Sequence, residues 1–144
     1  MTGADQADQL AARYPVGEKQ PDRVRTRSGR PLAELNLEGV LAGDVTAADF
    51  NITADGLRQQ ADISELAGRP SLARNLRRGA ELVSIPDEVL LEVYELLRPG
   101  RAGSAAEMLA AAQRLRADYG AEATARLIEE ATAVYERRNV FGRR

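Results

Sequence analysis

The sequence contains no cysteine and no histidine among its 144 residues. Disulfide bonds are therefore impossible, and no cysteine pattern points to an oxidising compartment. Zinc, iron–sulfur and haem sites that depend on Cys or His are excluded. A Ser-His-Asp triad and a cysteine nucleophile are excluded as well. Catalysis by this chain alone would have to use carboxylates, Lys, Arg, Tyr, Ser or Thr.

Aromatic residues are scarce, at 4% of the chain with no Trp, whereas 44% of the residues are hydrophobic. The core must therefore be built from Leu, Ile, Val and Ala. That set of side chains suits packed helices better than sheets, which are enriched in aromatic and β-branched residues. A chain of this length corresponds to about one ordinary domain.

The chain has no excess of positive charge, since 20 basic and 22 acidic side chains give a net charge of −2. Nucleic-acid binding usually requires a basic surface, so we expect no nucleic-acid partner. No apolar run reaches the length of a membrane span, and residues 1–10 lack the basic and apolar regions of a secretory signal. We therefore expect no membrane association and a cytoplasmic location.

Residues 1–36 differ in composition from the rest and are predicted to form an extended N-terminal arm. They contain Pro15, Pro21 and Pro31 and few apolar side chains. A turn is predicted at residues 26–31. A faint helical stripe precedes Pro15 and consists of Ala7, Leu10, Ala11 and Tyr14. Residues 37–144 are predicted to be a helical domain that opens with one or two short helical turns or brief extended pieces before residue 50.

About four to five packed helices are predicted, so the fold class is mainly α. They cover residues 53–66, 70–83, 85–98, 104–119 and 123–138. Thr53 and a capping box formed by Ser104 and Glu107 mark two of the helix starts, while Gly68 and Gly120 mark two ends. The apolar spacing predicts that certain side chains face inward. These are Leu57, Ala61, Leu66, Leu72, Leu76, Ala80, Val83, Val89, Leu90, Val93, Leu96, Leu97, Met108, Leu109, Ala112, Leu115, Tyr119, Leu127, Ile128, Ala131, Val134 and Tyr135.

The candidates for catalysis are weak. Adjacent carboxylates, as at residues 87–88 and 129–130, point in different directions on a helix and are poorly placed for joint acid–base chemistry. Three tyrosines, Tyr94, Tyr119 and Tyr135, lie on or beside apolar stripes and are interpreted as core residues whose hydroxyls find a partner or water. No P-loop or dinucleotide fingerprint is present. We therefore assign this chain no catalytic, cofactor-binding or metal-binding residue.

Arg74, Arg77 and Arg78 lie close together on the second predicted helix. They can bind a phosphate group, pair with Glu81 at helical spacing, or face a partner subunit. Arg is enriched at protein interfaces, so we favour a partner-facing role for these three residues.

Several stretches resemble the small (gamma) subunit of adenosylcobalamin-dependent diol and glycerol dehydratases. The most specific is the run Ala-Arg-Asn-Leu-Arg-Arg at residues 73–78, followed by Ile-Pro-Asp-Glu at residues 85–88. The other matching stretches are residues 14–15, 26–32, 37–38, 52–61, 79–82 and 89–99, with a looser likeness to residue 138.

The resemblance implies a complex of large, medium and small subunits, arranged as a dimer of such trimers. In this family the large subunit is a barrel that holds the substrate, and adenosylcobalamin lies between the large and medium subunits. The complex converts propane-1,2-diol or glycerol to an aldehyde with loss of water, through radical chemistry supplied by the cofactor. The small subunit packs on the large one and is non-catalytic. The choice between the two diols is not encoded in this chain, because the substrate pocket lies on another subunit.

Some dehydratase subunits carry an N-terminal extension that directs the enzyme into a protein-shelled microcompartment. Residues 1–13 match the family weakly, so that role is not carried over, and a microcompartment location stays open beside the cytoplasm. The alternative interpretation of the whole chain is a stand-alone helical adaptor with no connection to cobalamin.

Overall fold

The computed structural model describes Gln9 and residues 12–142. Within these residues the chain is mainly helical, as predicted, and has no β-strand. None of the described helices is long and apolar enough to cross a membrane. The α-helices that have both ends in the described part of the chain are α1 (Val16–Lys19), α2 (Leu37–Ala42), α3 (Ala54–Leu66), α4 (Pro70–Leu82), α5 (Asp87–Leu96), α6 (Ala105–Tyr119) and α7 (Glu122–Arg138).

The chain forms two compact units, one ending at Leu76 and the other beginning at Arg77, so the boundary falls within α4. The predicted division into an arm, residues 1–36, and a helical domain, residues 37–144, stays a prediction. Of the faint stripe ahead of Pro15, the residues Ala7, Leu10 and Ala11 lie outside the described residues.

In the first unit, the described part of the predicted arm consists of short helices and turns. After α1 come two 3-10 helices, Pro21–Arg23 and Leu32–Glu34. The predicted turn between them is confirmed: the N–H of Gly29 donates to the carbonyl of Thr26 at 3.0 Å, and Gly29 has a φ of 86°. An isolated antiparallel bridge joins Arg25 to Pro31 across this turn.

Three predicted features of the next segment are confirmed. The short helical turns expected before residue 50 are α2 and the 3-10 helix Ala47–Phe50. Thr53 is the N-cap of α3, and its hydroxyl oxygen accepts from the N–H of Gly56 at 3.0 Å. Gly68, with a φ of 73°, lies just beyond α3 as expected for a C-terminal glycine.

In the second unit, α5, α6 and α7 contribute to one apolar core, and α6 packs against α7. The fully buried side chains include Met108, Leu115 and Ile128. Tyr135 packs against this core, and its hydroxyl donates to the carbonyl of Leu97, which confirms the core role predicted for that tyrosine. Gly120 has a φ of 64° and caps α6, as predicted.

The predicted capping box at the start of α6 is half correct. The Ser104 hydroxyl accepts from the N–H of Glu107 at 3.3 Å. The Glu107 carboxylate, however, accepts from the N–H of Gly103 at 2.7 Å, one residue before the position that a capping box requires.

Several side chains predicted to face inward are exposed, so those predictions were wrong. They are Leu66, Leu72, Tyr94, Leu109 and Leu127. The periodicity located the apolar side of each helix, but small residues sit at several of the buried positions. Ala73, for example, is buried while its neighbour Leu72 is exposed, and Ala125 is buried while Leu127, two residues further on, is exposed.

Candidate subunit interface

Helix α2 presents leucine and valine side chains to solvent. Leu37, Val40 and Leu41 are spaced to lie on one side of the helix, and Leu37 and Leu41 are 71% and 78% exposed. Gly39 lies close to buried Val45: a Cβ at position 39 would come within 2.8 Å of Val45 Cγ2. The close approach at Gly39 therefore holds α2 in place and leaves its leucines outside.

Two more large apolar side chains, Phe50 and Ile52, are exposed just after α2. They border an open hollow of about 240 Å³ whose other apolar lining comes from Val24, Leu32 and Leu35. The N–H of Leu32 donates to the carbonyl of Val24 at 3.2 Å, which connects two of these lining residues through the backbone.

The exposed apolar residues of the segment 37–52 offer a sizeable surface to a partner. Leu37, Val40, Leu41, Phe50 and Ile52 are each more than two fifths exposed. If burial of a fully exposed side chain of this kind removes roughly 60–120 Å² from water, the five together present about 200–400 Å², because they are on average about three fifths exposed. A standard interface buries about 800 Å² per partner, a little over half of it apolar. This segment therefore supplies between about half and most of the apolar surface that one side of a stable interface needs.

Asp49 anchors this segment to the turn at residues 26–31. Its carboxylate accepts from the hydroxyl of Ser28, and from the N–H and hydroxyl of Thr46 at 2.9 and 3.2 Å. The Ser28 hydroxyl is also 2.8 Å from that of Thr26, which accepts from the N–H of Arg30 at 3.0 Å. Because the Ser28 hydroxyl and the Thr46 N–H stabilise the charged form, the pKa of Asp49 falls to about 2.

The three arginines predicted to face a partner all lie on α4. Arg74 is exposed and donates to the hydroxyl of Ser71 at 3.0 Å. Arg77 and Arg78 are half-buried and already have interaction partners within the chain. The structure does not test the partner-facing role, which stays a prediction.

Glu81, considered above only as a partner for the arginines, caps α7. Its carboxylate accepts from the backbone N–H groups of Ala123 and Thr124 at 2.9 and 2.8 Å, and from the Thr124 hydroxyl at 2.7 Å. The first N–H groups of a helix have no hydrogen-bond acceptor within the helix, and this carboxylate is their acceptor. Its negative charge also interacts favourably with the positive end of the helix dipole. Glu81 is a structural residue of the second unit.

A second exposed apolar pair lies on α5. Leu91 and Tyr94 are 65% and 63% exposed, on the side of the helix away from buried Val89 and Val93. The acidic residues near them already form ion pairs: Glu92 with Arg114 at 3.0 Å, and Glu95 with Arg98 at 2.8 Å.

A charged network links the end of α6 to α7. Arg116 contacts Glu122 at 2.6 Å and Glu129 at 2.9 Å, and Arg126 contacts Glu122 at 2.9 Å. Hydrogen bonds to these two carboxylates raise the pKa of Arg116, and the two arginines lower the pKa of Glu122. Glu129, one of the adjacent carboxylates judged poorly placed for acid–base chemistry, thus belongs to a structural network between helices.

The exposed apolar side chains described above are suited to binding another protein. Within the described part of the chain, no group of three or more acidic residues could hold a metal ion. The described hollows are open to solvent, and their polar lining groups include Asp49 and Thr53, whose oxygens already accept hydrogen bonds.

Sequence reasoning missed the roles of Asp49, Phe50 and Glu81. A local signal existed for Asp49, because Thr46 and Asp49 have the spacing of a capping box. No local signal existed for the contact of Glu81 with residues 123 and 124, which lie 42 and 43 positions away.

Comparison with known proteins agrees with a binding role. Residues 10–141 match the family model described as the dehydratase small subunit. The propanediol dehydratase small subunit of Citrobacter freundii is 42% identical over 130 residues, which cover 90% of this chain and 75% of that protein. The corresponding subunit of Salmonella typhimurium strain LT2 shows the same identity and coverage. These matches confirm the resemblance seen in the sequence and disfavour a stand-alone helical adaptor. The chain belongs to the dehydratase small-subunit family.

Proposed function

We propose that this chain is the structural small subunit of a diol dehydratase complex, assembled with a large and a medium subunit as a dimer of heterotrimers. The complex would convert propane-1,2-diol or glycerol to the aldehyde with loss of water. The single observation that carries the proposal is the 42% identity to two propanediol dehydratase small subunits over 90% of the chain. The exposed apolar residues of the segment 37–52 support it, since a partner would remove them from water.

Adenosylcobalamin would be held by the other subunits of the complex. The described part of this chain does not fit a cobalamin site, because its hollows are open to solvent and would not enclose the cofactor. When bound in the complex, the cofactor supplies the radical chemistry. The contribution of this chain is to bind and stabilise its partner.

The proposed mechanism is thermodynamic. A partner that binds only the folded, competent form of the large subunit stabilises that form by mass action, by about 2.7 kcal/mol at a hundredfold excess over the dissociation constant. Burial of the apolar side chains of the segment 37–52 would provide part of the binding free energy. The predicted arm, residues 1–36, would extend this contact by wrapping around the partner.

Reconstitution tests the proposal. The large and medium subunits are mixed with and without this chain, given adenosylcobalamin and either propane-1,2-diol or glycerol, and assayed over time. We expect full and lasting activity only when this chain is present, and neither cofactor binding nor turnover by the chain alone. Full, stable activity from the other two subunits alone would contradict the proposal. Using both diols in parallel identifies the preferred substrate.

Hydrogen exchange tests the arm. If residues 12–36 wrap a partner, their backbone N–H groups should exchange more slowly in the complex than in the free chain. Equal exchange rates in the two states would rule out this part of the proposal, whatever the activity assay shows.

We propose that Arg74, Arg77 and Arg78 lie at the interface and that at least one pairs with a carboxylate of the large subunit. Removing one partner of a buried ion pair costs about 3–5 kcal/mol, which would weaken assembly visibly. Single alanine variants at the three positions are compared with Arg126→Ala, an exposed arginine of the second unit. Wild-type affinity for all three variants would refute this part of the proposal. A melting temperature measured on each free variant separates loss of the interface from loss of internal contacts.

A further inference from the structure

We infer that a small hollow between residues 13–23 and α3 binds a phosphate group, either as inorganic phosphate or as part of a phosphate monoester. This inference goes beyond the proposed function and does not depend on it. The hollow lies entirely within the first unit. It is lined by Arg13, Val16, Gln20, Arg23, Gln59 and Ile63.

The two walls of the hollow are built on helical spacing. Val16 and Gln20 are four residues apart at α1, and Gln59 and Ile63 are four residues apart on α3, so the members of each pair point in similar directions. The N–H of Gln20 donates to the carbonyl of Val16 at 2.8 Å, and the N–H of Arg23 donates to the carbonyl of Gln20 at 3.0 Å. These backbone bonds hold the first wall in place before a ligand binds, which lowers the entropy that binding must overcome.

The lining carries two positive charges, and none of the described residues that form it is acidic. Arg13 is half-buried, and within the described part of the chain neither Arg13 nor Arg23 forms an ion pair. Arg30 of the same unit, by contrast, pairs with Glu34 at 3.0 Å. A half-buried guanidinium without an acidic partner has lost part of its hydration without compensation, and a bound anion would supply that compensation.

Amide groups add neutral donors to the two guanidinium groups. The Arg23 guanidinium donates to Oε1 of Gln20 at 3.3 Å, so the side-chain N–H groups of Gln20 remain to donate to a ligand. Gln59 offers a second amide from α3. Donors on two walls suit the tetrahedral oxygens of phosphate better than the two coplanar oxygens of a carboxylate, and Arg is the usual bidentate donor to phosphate.

The size and the charge of the hollow fit a phosphate group. Its volume is about 90 Å³, roughly that of three water molecules at about 30 Å³ each. Pockets for whole small-molecule ligands usually occupy roughly 300–1,000 Å³, so only the phosphate group of a larger ligand would lie inside. A phosphate monoester carries a charge of about −1.5 to −2 at pH 7, which matches two guanidinium groups.

A titration of the ¹⁵N-labelled full-length chain tests the site. Inorganic phosphate and methyl phosphate are added separately at an ionic strength held constant with sodium chloride. We expect saturable shifts of the side-chain Nε–H signals of Arg13 and Arg23, with half-saturation on the order of 1 mM, as two charge-assisted contacts of ordinary strength provide. The ligand that binds more tightly identifies the source of the phosphate group.

The bound phosphate should also tie residues 13–23 to α3, because its donors lie on both. The N–H groups of Gln20 and Val24 donate to the carbonyls of Val16 and Pro21. We expect both N–H groups to exchange more slowly when phosphate is bound.

Arginine variants separate the site from general attraction of anions. Arg13→Ala and Arg23→Ala should each weaken phosphate binding about 10-fold, because each loses one charge-assisted contact. Arg13→Lys keeps the charge without the bidentate geometry and should lose less. The matched control is Arg27→Ala, which removes an exposed arginine of the same unit that does not line the hollow. Because salt screens distant charges, we expect this control to bind phosphate within about twofold of the wild type.

Melting temperatures measured without phosphate show that each variant is folded. Shifts that grow without saturation, equal affinity in all the arginine variants, or acetate that binds as tightly as phosphate would each overturn the site. The reconstitution assay reports separately on the proposed function. A chain that supports dehydratase activity but binds no phosphate refutes the phosphate site alone.

Discussion

Replacing Glu81 by alanine removes three hydrogen bonds at once. The carboxylate accepts from the N–H groups of Ala123 and Thr124 and from the Thr124 hydroxyl, at 2.7–2.9 Å. Thr124 is buried, so its hydroxyl would be left without this partner away from water. The N-terminus of α7 would also lose a negative charge close to the positive end of its dipole.

The size of the effect follows from these contacts. Loss of an N-cap typically costs about 0.5–2 kcal/mol, and a hydrogen bond to a charged group contributes about 1.5–3 kcal/mol. Because the three bonds share one carboxylate, their contributions are not additive. We expect Glu81→Ala to lower the free energy of unfolding by about 2–3 kcal/mol. For a chain of this size that corresponds to a fall in melting temperature of roughly 5–10 °C.

Glu81→Gln should cause a smaller loss of stability than Glu81→Ala. The amide keeps one carbonyl oxygen that can accept from a backbone N–H, but it loses the charge and the second acceptor. We expect a loss of about 1 kcal/mol, between that of the alanine variant and the wild type.

Thermal unfolding followed by far-ultraviolet circular dichroism provides the measurement, with Glu130→Ala as control. Glu130 is an exposed carboxylate on α7, and removal of such a side chain usually changes stability by less than about 0.5 kcal/mol. Hydrogen exchange adds a local measurement, since the N–H groups of Ala123 and Thr124 should exchange faster in the alanine variant. If Glu81→Ala has the same melting temperature as Glu130→Ala and the wild type, the capping role is refuted.

Two further predictions concern pH and packing. The pKa of Asp49 is lowered from 3.8 to about 2, so its stabilising effect should be complete above about pH 4 and be lost as the pH falls towards 2. Between pH 5 and 2 the melting temperature should therefore fall less for Asp49→Asn than for the wild type. Asp44→Asn, which changes an exposed carboxylate, should behave like the wild type. Parallel curves of melting temperature against pH for all three proteins would contradict this. Met108 is fully buried and Leu109 is 46% exposed, so Met108→Ala should cost about 2–5 kcal/mol and Leu109→Ala clearly less. If urea unfolding shows equal losses of unfolding free energy for the two variants, the assignment of Met108 to the core is wrong.

The comparison of Met108 with Leu109 also shows which buried residues the apolar periodicity can predict and which it cannot. Both residues fit the predicted apolar stripe, but only Met108 is buried. On a helix, adjacent residues differ by about 100° in direction, so a stripe that includes both is wider than the contact it makes. Leu66 and Leu72 were also wrongly placed inside, although their stripes contain no adjacent residues. Which side of a stripe is covered depends on the neighbouring elements, and these are not encoded locally.

Local signals were reliable at the helix ends. Thr53, Gly68 and Gly120 mark helix ends as expected, because a cap depends on hydrogen bonds and backbone angles within a few residues. The turn at residues 26–31 was predictable for the same reason. The capping box at Ser104 was only half correct, since the Glu107 side chain is long enough to reach Gly103 instead.

The sequence by itself determined the mainly helical class, the helix ends and the family, because these depend on composition, short-range hydrogen bonding and the order of residues. Only the tertiary structure decided that Asp49 binds Ser28, that Glu81 caps α7, and that Phe50 and Ile52 border an open hollow. The physical reason is distance along the chain. Ser28 is 21 residues from Asp49, and Ala123 is 42 residues from Glu81. Contacts of that range form only when packing brings the segments together, and no spacing in the sequence specifies them.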